Sequence, residues 1–131
     1  MNTKLLMTSR SIVLGLAGII TLFAPDVVLS TQGVTVTGAA SMLVQLMGAL
    51  YFSFALMNWA AKDSLIGGIY ARPVSMGNFS HFFAGTLILA RVQLANEINL
   101  SIMAAQVVYA VFALCFYWLV FRSAGITSLP R

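Results

Sequence analysis

Apolar residues fill the chain in four long runs, about 6–24, 38–61, 75–96 and 100–121, and the charged residues, the Gly67-Gly68 pair and the prolines gather mostly between them. A helix needs ~20 mostly apolar residues to cross the hydrocarbon core of a bilayer, and it satisfies all its backbone hydrogen bonds within the segment while doing so. The pattern therefore predicts an all-α fold, an integral membrane four-helix bundle. One transmembrane domain, residues 1–131, takes up the whole sequence.

Within each run the small and polar residues recur at helical spacing. In helix 1, Ser11, Gly15, Gly18 and Leu22 share a face on which a neighbouring helix can come close; the other explanation is that glycine is simply frequent in membrane helices. The basic start and short apolar stretch also fit a secretory signal peptide, but Pro25 and Asp26 follow where a cleavage site of small residues belongs. Residues 25–37 carry an acid, turn formers and β-branched residues but no Lys or Arg, and read as a loop or a short interfacial segment.

In helix 2, Ser41, Gln45, Gly48, Phe52, Ala55 and Trp59 form the expected packing face, and Tyr51, Asn58 and Lys62 an adjacent stripe. Trp59 with Lys62 suits the headgroup boundary. The polar stretch from Asn58 to His81 is then the hinge between two hairpins. Gly67 and Gly68 read as a turn that lays Ile66, Ile69 and Tyr70 on the membrane surface, and Pro73 opens helix 3, with Ser75 and Asn78 as candidate caps. Helix 3 divides into a face with Gly77, His81, Ala84, Ile88, Arg91 and Ala95 and another with Phe79, Phe82, Thr86 and Leu89. Helix 4 aligns Gln106, Ala110, Ala113 and Tyr117, with Cys115 pointing the other way.

Composition agrees: 60% of the 131 residues are hydrophobic and 8% charged, against ~25% charged in an ordinary soluble domain. The net charge of +4 comes from scattered bases with no basic stripe, so nucleic acid is not an expected partner. Lys4, Arg10, Lys62, Arg72, Arg122 and Arg131 all fall at one end of the four-span arrangement and Arg91 alone at the other. Since Lys and Arg collect on the cytoplasmic side, both termini are expected in the cytoplasm and the protein in the inner membrane as a multi-pass chain. A single cysteine excludes an internal disulfide or a CxxC site.

Candidate chemistry is sparse. Matching depths bring Gln45, Arg91, Gln106 and Tyr109 together near the outer leaflet. An arginine inside the membrane costs about 2.5–3.5 kcal/mol on insertion scales and so faces a partner, a cavity or the interface. Either Arg91 snorkels to the headgroups while the two glutamines join helices, or the four residues bind the polar head of a lipid, a quinone or a small metabolite. His81, with Asn58, Tyr51 or Asp63 in reach, is either a packing residue or a proton relay. Asp26, Asp63 and Glu97 all lie at helix ends, which argues against a proton-coupled exporter. No metal-ligand spacing, Ser-His-Asp set or phosphate loop is present in the sequence.

The helix 2 stretch LMGALYFSFALMNWAAKDSL and the N-terminal RSIVLGLAGIITLFAP resemble small bacterial four-helix membrane proteins of the DoxX-like kind. The resemblance implies a four-helix bundle and, in some members, association with membrane redox complexes and quinone. No functional residue of that family maps onto a position here. Two functions stand as expectations: an accessory or interaction protein without a catalytic site, partnered by membrane lipids and by another membrane protein or its own copies, and a lipid- or quinone-binding redox auxiliary with its pocket around Arg91. A pore or carrier formed by oligomers has too few polar residues to line a path.

Overall fold

The computed structural model describes residues 3–63, 71–95 and 100–122. Among them lie five helices: α1 (Thr3–Phe23), α2 (Pro25–Thr31), α3 (Gly38–Ala61), α4 (Ala71–Ala95) and α5 (Leu100–Arg122). The all-helical expectation holds, and α3 has the bounds that its apolar run predicts. Three helices have the length and apolar composition to cross a membrane: α1 from Lys4, α3, and α5 to Phe121. The α4 helix is as long, but Arg72, Asn78, His81 and Arg91 make it more polar, and it does not belong to that set.

The segment after α1 is not a plain loop. Pro25 sits at the start of α2, where its missing N–H is harmless, and Asp26 lies in the first turn, where the helix dipole favours an acid. Gly33, at φ 70°, ends α2: its N–H donates to the Ser30 carbonyl at 3.0 Å and the Val34 N–H to the Leu29 carbonyl at 3.0 Å. This is the paired closure that a left-handed glycine allows. Thr37, in extended conformation, then caps α3 by accepting from the Ala40 N–H at 3.2 Å.

Pro73 lies in the first turn of α4, as its position suggested, but Ser75 and Asn78 do not cap the helix. Both are buried inside it. The turn assigned to Gly67 and Gly68, with Ile66, Ile69 and Tyr70, lies outside the described residues.

The chain divides into two compact units, Met1–Asp63 and Ser64–Arg131. In the first, α1 and α3 run antiparallel. Lys4 pairs with Asp63 at one end, Gly15 faces Ala55, Gly18 lies against Gly48 and Phe52, and Gln45 reaches Leu22 at the other end. Each step up α1 is matched by a step down α3. A Cβ added to Gly18 would stand 2.8 Å from the Phe52 nitrogen and 3.0 Å from the Gly48 carbonyl oxygen, so the backbones cross with no room for a side chain. Helices in lipid associate by such packing rather than by a hydrophobic drive.

In the second unit α4 and α5 also run antiparallel, held by aromatic rings. Phe82, fully buried, stacks on Phe112 with 4.9 Å between centroids and meets Tyr109 edge-on at 5.0 Å. Nearer the start of α4, Phe79 meets Phe121 edge-on at 5.8 Å. The Tyr109 ring occupies the space that a side chain on Gly85 would need.

Candidate functional site

Polar side chains in an apolar helix pair must find partners within it, because an unsatisfied group in lipid costs several kcal/mol. The first unit meets this mainly with its own backbone. Ser11 donates to the Met7 carbonyl at 2.9 Å, Thr21 to the Ala17 carbonyl at 2.7 Å, and the buried Asn58 to the Phe54 carbonyl at 2.7 Å. Across the hairpin, the Gln45 amide donates to the Leu22 carbonyl at 3.2 Å and Ser41 donates to Asp26 Oδ1 at 2.5 Å. Gln45 thus ties the last turn of α1 to α3.

Arg10 is the feature of this unit that its sequence position concealed. It looks like one more inner-surface cation, yet α1 begins at Thr3 and the whole Arg10 side chain is buried, its guanidinium carbon 5.5 Å from the centre of the Phe54 ring. A guanidinium over an aromatic face is attracted by the ring quadrupole. The sign available beforehand was its place inside the apolar run that begins near residue 6, one position before the small-residue face that Ser11 opens. Lys62 places its ammonium 3.2 Å from the centre of the Trp59 ring.

At the same end, Lys4 Nζ lies 2.7 Å from Asp63 Oδ1, both side chains largely exposed. The hydrogen bond from Lys4 holds the Asp63 carboxyl below its ordinary range, against the opposing effect of desolvation, and the charges of Lys4 and Lys62 add to it. Tyr51, on α3, is half-buried.

In the second unit the half-buried His81 ring lies among rings, with centroids 5.2 Å from Phe82 and 5.5 Å from Tyr109. Tyr109, grouped by sequence with Gln106 and Arg91, packs here beside His81. Gln106 accepts a hydrogen bond from the Gln93 amide at 3.1 Å. Gln93, which depth matching overlooked, is thus the α4 partner of Gln106, and a glutamine inside an apolar run was the available signal. Arg91, two positions before Gln93, is exposed. The structure therefore joins Gln106 to Gln93 and Tyr109 to His81, while Gln45, Asn58 and Tyr51 belong to the first unit, where Gln45 bonds to Leu22 and Asn58 to Phe54.

What this arrangement does chemically is hold helices together: amides bridge, hydroxyls fold back, rings stack. Among the described residues no three His, Cys, Asp or Glu side chains come together in a way that would hold a metal ion. Cys115 is a half-buried free thiol on α5. Compared with protein-family models, with curated proteins and with solved structures, the chain finds no match in any of the three.

Proposed function

We propose that this chain is a small multi-pass protein of the bacterial inner membrane that acts as an accessory or interaction partner rather than as a catalyst, in the manner of the DoxX-like proteins its sequence resembles. In this proposal α4 is the fourth span, the two hairpins complete a four-helix bundle, and both termini face the cytoplasm. The observation that carries it is the use made of polar side chains. Gln45, Asn58, Thr86, Gln93 and Gln106 bond to a backbone carbonyl or to each other, so they serve as glue between or within helices. Meanwhile Leu16, Leu46, Leu50, Leu87, Val107 and Leu114 all stand exposed, a surface suited to lipid or to another membrane helix.

Two further features support the orientation. Lys4 and Lys62 fall at the same end of the first hairpin, and Arg72 and Arg122 at the same end of the second. The 25 residues of α4 make a helix of about 37 Å, enough for a crossing.

A second reading places a lipid or quinone headgroup at Arg91, drawing on its exposure on α4. Solubilisation in a mild detergent, followed by mass spectrometry of the proteins and lipids retained, separates the two. A larger complex or a defined oligomer is expected. A stoichiometric quinone or lipid that disappears in Arg91→Leu would replace the first reading with the second, and a chain that dissolves without detergent would refute both.

A further inference from the structure

The two long helices of the first unit already match a bilayer in length. The 21 residues of α1 make about 32 Å of helix, against ~30 Å of hydrocarbon core. The seven residues of α2 would add about 10 Å to the same rod, more than a single crossing accommodates. The backbone bends between them instead. The Ala24 N–H still donates to the Ile20 carbonyl at 2.8 Å and the Val28 N–H to the Ala24 carbonyl at 3.2 Å, so the ladder continues on both sides of Pro25. Ala24 itself, at φ −132° and ψ 49°, turns α2 off the axis of α1. Ser41 then fastens Asp26 to the first turn of α3, and Leu29 is buried.

Around this bend large apolar side chains stand exposed among short polar ones: Phe23 is 84% exposed and Val27 59%, with Val34 and Val36 also exposed, as are Asp26, Ser30, Thr31, Gln32 and Thr35. Several of the polar groups bond back onto the fold. Ser30 donates to the Val27 carbonyl at 3.0 Å and Thr31 to the Val28 carbonyl at 2.9 Å, Asp26 receives the Ser41 hydroxyl, and Gly33 and Val34 cover the last carbonyls. Bonded back in this way the segment needs less hydration, and large apolar side chains standing among short polar ones suit the acyl–headgroup boundary, which accommodates both. With no Lys or Arg between residues 25 and 37, nothing here attracts anionic headgroups.

We propose that α2 is an interfacial foot: its Phe23 and Val27 side rests in neutral lipid at the membrane boundary opposite the Lys4–Asp63 end, and so sets the depth of the α1–α3 hairpin. The proposal rests on the membrane reading, and one experiment tells their failures apart. Full-length protein with Cys115→Ser receives a nitroxide at Val27→Cys or, as a span control, at Leu16→Cys, in phosphatidylcholine bilayers. Collisions with oxygen and with a water-soluble nickel chelate are then compared.

The expected oxygen-to-nickel ratio at Val27 is several-fold above that of a nitroxide in water, below that at Leu16, and unchanged when a third of the lipid is replaced by phosphatidylglycerol. Free access of nickel to Val27 with Leu16 still embedded would overturn the foot alone. Shielding of Val27 from both reagents would overturn it in favour of a protein contact, and dependence on phosphatidylglycerol would overturn the assignment to neutral lipid. Nickel access at Leu16 would overturn the membrane reading as well.

Discussion

Gly15 and Gly18 lie on one stripe of α1 and look equivalent in sequence, yet the hairpin predicts opposite outcomes for the same substitution. A Cβ at Gly15 meets only the Ala55 Cβ, at 3.6 Å, an ordinary contact. At Gly18 it would meet the Phe52 nitrogen at 2.8 Å and the Gly48 oxygen at 3.0 Å, both of them backbone atoms that cannot rotate away. Moving Phe52 out to the 3.4 Å where ordinary contact begins asks for about 0.6 Å of helix separation. A gap of that size forfeits roughly a quarter of the dispersion energy of each contact along the crossing, and overpacking of this kind costs about 1–3 kcal/mol.

Alanine in place of glycine returns about 1 kcal/mol of helix propensity at either site. Gly15→Ala should therefore be neutral or up to about 1 kcal/mol more stable, and Gly18→Ala destabilised by up to about 2 kcal/mol. Gly18→Leu should be worse than either. Unfolding in mixed micelles of mild detergent and SDS, followed by circular dichroism, measures the difference. Equal midpoints for Gly15→Ala and Gly18→Ala would refute the close backbone crossing.

Three further outcomes are expected. Asp63→Asn should lower the unfolding midpoint slightly at neutral pH and not at all in acid: the folded carboxyl titrates below its ordinary value, so its contribution is present above ~3.9 and fades as pH falls through the lowered value. A pH-independent effect would point away from the Lys4 pair. Phe82→Ala should destabilise by about 3–5 kcal/mol through the cavity it leaves among Tyr109, Phe112 and Phe116, whereas Leu94→Ala, at a position 90% exposed, should be near neutral in the same SDS titration. A double-mutant cycle of Gln93→Leu and Gln106→Leu should give a coupling of about 0.6 kcal/mol, typical of interhelical hydrogen bonds in membranes. Additive single mutants would remove the amide bridge.

Much of the local architecture was legible from spacing alone. The runs of apolar residues located the long helices, because length and lack of charge suffice to specify a helix in lipid. The stripe of Ser41, Gln45, Gly48, Phe52, Ala55 and Trp59 was readable as the contact face of α3 as far as Ala55, since small and amide side chains gain from a partner and lose little to lipid, while Trp59 at its end stands exposed. The seat of Lys62 over the Trp59 ring, by contrast, was not part of the boundary expectation and comes from the structure.

Pairing was not legible, because it depends on which turn of one helix faces which turn of the next. Depth alone grouped Gln106 with Arg91, while the register of α4 on α5 gives it Gln93 and sends Tyr109 over Gly85 to His81. Ser75 and Asn78 resembled caps because caps and buried polar positions use the same short side chains, and only the start of α4 at Ala71 separates the two roles. Arg10 carries the charge of a surface residue although it lies inside the predicted run 6–24, and only the packing of α1 on α3 buries it against Phe54. The sequence by itself determined that these segments are helices made for an apolar surrounding; the tertiary structure decided which side chains meet, since a few tenths of an ångström at Gly18 and Gly48 select the register and periodicity carries no distances.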